Sequence, residues 1–263
     1  MRFSSPFSSS VCSALLTCEG ERSLQGDFTP KEAGGKRGLP PGVKGVRIAA
    51  RRKALRILAA TRNAHKAEEI AEILRPLGVE VVRPEEQSGA PDVEETGDSF
   101  EANALLKARA AAAATGMTAF ADDSGLEVDA LGGEPGVLSA RYAGPGASDA
   151  EKRALVLARL ADVRRPEERT ARFRCAAALA SPDGWAMLFT GSVEGLITFE
   201  PRGEGGFGYD PIFFFPPFGK TFAEVPRERK NAVSHRGRAF RTLAQFLRAA
   251  GACLSAGEAG ERR

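Results

Sequence analysis

Apolar residues in this chain fall into short solid runs and helix-spaced sets, separated by glycine, proline and paired charges. Leu55-Arg56-Ile57-Leu58-Ala59-Ala60 is a solid apolar run of strand length. Ile70, Ile73, Leu74 and Leu77 then recur at helical spacing, which predicts a helix over 64–77 closed by Gly78. Val79-Glu80-Val81-Val82 is the next strand, so the segment forms a β-α-β unit whose two strands should be parallel. A second helix is expected over 99–115, with Ser99 as N-cap, Glu101 in the first turn and Gly116 after the end. Thr118 to Ala121 reads as a short strand running straight into Asp122-Asp123, and 149–161 as a third helix. Two long strands, 170–180 and 185–199, are joined by the turn Ser181-Pro182-Asp183-Gly184. A strand at 212–215 and a helix over 231–249 complete the pattern, which is α/β with a mixed β-sheet and flanking helices.

Before residue 55 the pattern is lost. Arg2 to Cys18 is serine-rich with no acid before Glu19, and 34–53 is dominated by glycine, proline and basic residues. Such a segment buries little, so 1–54 is expected to be a disordered leader, 55–250 a catalytic domain and 251–263 a flexible tail. The leader fits an organelle transit peptide, or alternatively an upstream start or dispensable extension; the expected location is cytoplasmic, or an organelle under the first reading.

Charge follows the same division. Residues 1–54 hold ten Lys/Arg against four Asp/Glu, so +6 of charge sits there and the rest carries −3 of the total +3. An acidic body argues against a stable nucleic-acid partner. No run reaches membrane-spanning length. The four cysteines, Cys12, Cys18, Cys175 and Cys253, form no CxxC pair and read as free thiols.

Five segments carry candidate chemistry. Thr61-Arg62-Asn63-Ala64-His65-Lys66 lies between a strand end and a helix start, where free N–H groups, the helix dipole and Lys66 suit a phosphate. Glu94-Glu95 and Asp122-Asp123-Ser124-Gly125 supply hard carboxylate oxygens of the kind that hold Mg²⁺, with the glycine permitting a tight turn. Gly203 to Gly208 contains four glycines in six residues, and Phe207 and Tyr209 offer flat faces for a base. Lys230 with Ser234-His235-Arg236 forms a basic corner. Each segment also has a plain structural reading, as a helix cap, a surface turn, a flexible loop or a packed histidine. In combination they are the parts of a nucleotide-hydrolysing site, with neither a Walker loop nor GxGxxG to suggest other nucleotide folds.

These residues closely resemble the inosine triphosphate pyrophosphatase family, also called dITP/XTP diphosphatases. The resemblance covers about residues 55–250. It runs from Thr61, Asn63 and Lys66 through Glu94-Glu95-Thr96-Gly97, Phe100 and Asn103-Ala104 to Asp122-Asp123-Ser124-Gly125-Leu126. It continues with Leu131-Gly132-Gly133, Pro135-Gly136 and Ser139-Ala140-Arg141-Tyr142, and ends with Gly206 to Pro211 and Ser234-His235-Arg236. It implies a homodimer of two-lobed subunits with a cleft between the lobes. It also implies hydrolysis of ITP, dITP and XTP to the monophosphate and pyrophosphate. By carry-over, Thr61, Arg62, Asn63, Ala64, His65, Lys66 and Lys230 would bind phosphates. Asp123 would be general base and Mg²⁺ ligand, with Glu94 or Glu95 as second ligand. Ser124 would touch substrate, and Phe207, Gly208, Tyr209, Asp210, His235 and Arg236 would hold the base. Arg62 and His65 depart from the family pattern, which usually has Gly or His at the first position and often Gly or Lys at the second. Two alternatives remain: a Maf-like pyrophosphatase for other nucleotides, and a nucleotide- or RNA-binding module without catalysis.

Overall fold

The computed structural model describes residues 55–260, with side chains to Ala249. The leader, the side chains of the tail, and Cys12, Cys18 and Cys253 lie outside the described residues. The expected β-α-β unit is present. β1 (Leu55–Ala59) pairs in parallel with β2 (Val79–Val82), and α1 (Ala64–Leu74) makes the crossover. The helix is shorter than its pattern, because Pro76 cannot continue the hydrogen-bond ladder and 75–77 tightens into a 3-10 turn before Gly78.

After α2 (Phe100–Thr115) comes β3 (Ala119–Val128), a ten-residue strand rather than the short one expected. It pairs in parallel with the end of β1 and antiparallel with β4 (Thr170–Ala180), which pairs in turn with β5 (Ala186–Ile197). Two short strands, β6 (Phe213–Phe215) and β7 (Lys220–Thr221), extend the sheet to the order β2-β1-β3-β4-β5-β6-β7. α3 (Asp149–Arg159) lies between β3 and β4. The helix expected over 231–249 is two helices, α4 (Arg227–Val233) and α5 (His235–Gly260). Ser234 separates them and caps the second, its Oγ accepting from Gly237 N at 3.0 Å.

Apolar packing divides along the long strands. At one end, α1 and α5 cover one sheet face through Ile70, Leu74, Phe240 and Leu243, while α2 covers the other through Ala104, Ala108, Ala111 and Ala112. Alanines on α2 meet alanines on β3 and β4, so helix and sheet approach closely. At the other end, Leu126, Phe173, Val193, Phe213 and Phe222 form a separate core with Val156 and Leu160 near the end of α3. The polar stretch Asp122 to Gly125 lies on β3 where one core gives way to the next.

Candidate active site

Asp122-Asp123-Ser124-Gly125 is not a turn after a strand. It is the middle of β3, each residue in register with one on β4. Side chains alternate across a strand, so Asp122 and Ser124 share the face of α1 and α5 while Asp123 points to the face of α2. Gly125 is required for closeness, not for bending. A Cβ there would lie 2.4 Å from Ser139 Oγ and 2.5 Å from Gly136 O.

β1 pairs with β3 only as far as Phe120, so the remaining edge of β3 is met by other groups. Asp122 O accepts from Lys107 Nζ at 2.8 Å, and Leu126 N donates to Ser139 Oγ at 2.9 Å. A ligand lying along this edge can reach both faces of the strand.

On one face, Asp122 is fully buried. Its Oδ2 accepts from Ser124 Oγ at 3.2 Å and Arg236 Nη2 at 3.1 Å, and Lys66 Nζ stands 3.2 Å away. Burial alone would raise this carboxyl, but the Lys66, Arg236 and Lys107 charges together hold it well below the usual range. Arg236 also donates to Glu69 Oε2 at 2.6 Å and to Ser124 Oγ at 2.8 Å. Lys230 Nζ lies between Glu69 Oε1 at 2.8 Å and Asp210 Oδ2 at 2.6 Å. Both basic side chains expected to face the ligand are therefore anchored on buried carboxylates. Glu69, absent from the sequence-based site, joins them. The available signal was its spacing one helical turn after His65 and Lys66.

On the other face, Asp123 Oδ2 accepts from Asn103 Nδ2 at 3.0 Å. Lys107 Nζ donates to Glu95 Oε1 at 2.7 Å and stands 3.8 Å from Asp123 Oδ1. Burial raises the Asp123 carboxyl, and the nearby Glu95 charge adds to this. Lys107 is a second residue the sequence reading missed, although it sits one turn beyond Asn103 on α2. Glu95 is half-buried beside Asp123, whereas Glu94 is exposed. Among the described residues no group of three His, Cys, Asp or Glu side chains gathers around one point.

The segment before α1 forms as a helix start. Asn63 Oδ1 accepts from Lys66 N at 3.2 Å, and Thr61 Oγ1 accepts from Asn63 N at 3.2 Å. With no acid in its first turn, α1 presents an uncompensated positive end. Ala64 opens the helix. Exposed Arg62 reaches Asp92 at 2.7 Å. His65 stacks on Phe207, with ring centroids 5.4 Å apart.

The glycine loop is ordered around Asp210, whose Oδ2 accepts from Phe207 N at 2.9 Å; Gly206, at φ +70°, leaves no room for a Cβ beside that carboxyl. Gly208 is clamped from α3, its N donating to Asp149 Oδ2 and its O accepting from Arg153 Nη1, both at 2.7 Å. Tyr209 is buried, its hydroxyl donating to Ser139 O at 2.9 Å. His235 is buried against Phe173, at a centroid distance of 4.7 Å. Burial, then the Arg236 and Lys230 charges, push its imidazole well below the usual histidine range, so the ring is neutral. Its Nδ1 has no hydrogen-bond partner among the described residues.

Two cavities meet here. One, of about 170 Å³, is lined by Ser124, Asp123, Phe207, Tyr209, Lys230, His235 and Arg236. The other, of about 260 Å³, is lined by Thr61, Arg62, Asp92 and Lys107. Asn63, Lys66, Glu95 and Ala140 line both.

Fold and site together define an α/β protein whose mixed sheet carries an aromatic cavity joined to a cavity rich in cations and helix-start donors. The chain belongs to the Ham1 family, whose model matches residues 57–246. A Geobacter sulfurreducens protein named dITP/XTP pyrophosphatase is 54% identical over 192 residues, which are 73% of this chain and 96% of its own length. A Shigella flexneri protein of the same name is 48% identical over 195 residues, 73% of this chain and 98% of its own. Among solved structures, the Ham1 protein of Coxiella burnetii aligns with a TM-score of 0.67 at 45% identity, covering 73% of this chain and 98% of that one. The family resemblance and the mixed-sheet fold read from the sequence are both borne out.

Proposed function

We propose that the protein hydrolyses non-standard purine nucleoside triphosphates (ITP, dITP and XTP) to the monophosphate and pyrophosphate. The observation that carries this reading is the junction of the two cavities at Lys66 and Glu95. A base fits the aromatic cavity, a polyphosphate fits the cation-lined one, and the α-phosphate then falls between them beside Asp123. The names of the relatives support the same chemistry.

Asp123 accepts a proton from a water as that water's oxygen bonds to the α-phosphorus and the bond to the bridging oxygen of pyrophosphate breaks. Lys107 holds Asp123 and Glu95 in place, and Lys66 faces the negative charge that develops on the leaving group. Asp123 and Glu95 fit Mg²⁺, because both carboxylates line the same cavity beside Lys107 and offer the hard oxygens that the ion prefers. When bound there, the ion would withdraw charge from the phosphate oxygens.

Selectivity follows from hydrogen bonding. Hypoxanthine and xanthine carry an acceptor oxygen at position 6, where adenine carries a donor. His235 Nδ1, on a neutral ring and without a partner among the described residues, can donate to that oxygen as the Nδ1–H tautomer. Guanine shares the 6-oxo group, so its rejection requires a further contact at the 2-amino position.

Asp123→Asn should lower kcat by roughly 10²–10⁴ while leaving the thermal melt intact. Near-normal turnover in this variant would exclude Asp123 as the base. Pyrophosphate release should require Mg²⁺ and stop with EDTA. Equal kcat/KM for ATP and ITP would overturn the selectivity. A non-catalytic binding module would release no pyrophosphate from any triphosphate. A homodimer and a cytoplasmic location belong to the same proposal. Among the described residues no helix is long and apolar enough to cross a membrane.

A further inference from the structure

We propose that His65 is a positioning residue of the base cavity, holding the Phe207 ring in place, and not a phosphate ligand. The inference rests on the triphosphate reading above. His65 is the second residue of α1, where helix geometry favours a bound anion. Its ring instead lies nearly parallel to that of Phe207, at an interplanar angle of 15° and a centroid distance of 5.4 Å. That separation is within the range of favourable aromatic pairs.

Phe207 needs such a support. Its loop backbone is held by Asp210 at Phe207 N and by α3 at Gly208, but these contacts fix the main chain and leave the side-chain torsions of the ring to its neighbours. Behind the ring lies a third cavity of about 330 Å³, lined by Gly205, Gly206, Phe222, Val225 and Pro226. Phe207, His65 and Lys230 line both this cavity and the base cavity, so the stacked pair stands between the two. Lys230 Nζ, 4.7 Å from the ring centroid, and the Arg236 guanidinium, 5.6 Å from it, also contact Phe207, but both are anchored on buried carboxylates and neither comes from the segment that starts α1. His65 is the side chain that ties the aromatic loop to the phosphate segment. Without it the Phe207 ring can turn into the third cavity, and the base loses a fixed wall while the polyphosphate contacts stay intact.

The test is steady-state kinetics of the full chain with ITP, using inorganic tripolyphosphate as a competitive inhibitor. His65→Ala should raise KM by about two- to tenfold, the value of one aromatic pair, with a smaller change in kcat and no change in the inhibition constant. His65→Phe, which restores a flat ring without imidazole nitrogens, should return KM to the wild-type value. An unchanged KM in His65→Ala, a His65→Phe variant as weak as the alanine one, or a parallel loss of tripolyphosphate inhibition would each overturn the proposal. Failure of the wild type to cleave ITP would refute the hydrolase reading instead. In that case calorimetric binding of ITP to the same variants, with the same order of affinities expected, tests the stack directly.

Discussion

Glu69 sits 3% exposed within α1, with Lys230 on one carboxylate oxygen and Arg236 on the other. Burial raises its carboxyl, and the two cations more than reverse that, leaving it below its ordinary value of 4.5. A carboxyl whose folded pKa is depressed stabilises the fold above its unfolded pKa, and that contribution fades as the pH falls through the folded value. Glu69→Gln should therefore cost about 3 kcal/mol at neutral pH, because it leaves two buried cations short of charge. The gap between variant and wild type should narrow in chemical denaturation as the pH drops below 4.5. A constant gap from pH 7 to pH 3 would show that the carboxylate charge contributes nothing. This residue was hard to find in the sequence because a glutamate in an amphipathic helix ordinarily belongs to the wet face. Only the partners, more than a hundred residues further along the chain, draw it inward. Asp123 was easier, since two adjacent acids beside a short apolar run suggest metal chemistry. Its neighbour Asp122 could not be given a role until the alternation of β3 separated their faces.

At the scale of elements, the starts and ends of helices were the most legible features. Ser99, Gly78 and Gly116 cap as their residue types require. What escaped the pattern was β3, because Asp-Asp-Ser-Gly looks like a turn and only pairing with β4 along its whole length makes it strand. The division of the last helix was equally hidden, since Ser234 is a single polar residue within a helix-forming run. It sets the first turn of α5, and with it His235 and Arg236, against the site. Gly125 shows what close packing of elements demands. Gly125→Ala should lower stability by about 1–3 kcal/mol, because backbone at Gly136 O has to move to admit the methyl group. The same shift displaces Ser124 and Asp123, so kcat should fall with the melting temperature. A variant as stable and active as wild type would mean that the loop carrying Ser139 yields freely.

For the whole molecule, the acidic body and basic leader read from the charge distribution are separate matters. The family match begins at residue 57, and the curated relatives are spanned over 96% and 98% of their lengths by 73% of this chain. A protein of residues 54–263 should then keep kcat/KM within about twofold of the full chain, measured with ITP and Mg²⁺. A large drop would assign the leader a part in catalysis. The mixed sheet was legible as a class because short apolar runs alternate with helical ones. Its three apolar clusters were not, since they depend on which strands outrun their neighbours.

The pleat of β3 gives the site an all-or-none dependence on register. Asp123 faces Asn103 and Lys107, and Asp122 faces Lys66 and Arg236, only because they occupy successive positions of one continuous ladder with β4. A single inserted or deleted residue between Ala119 and the aspartates would turn each carboxylate to the opposite face of the sheet, away from its own partners. Substitutions can weaken this site by degrees, but a change of length in that strand inverts it.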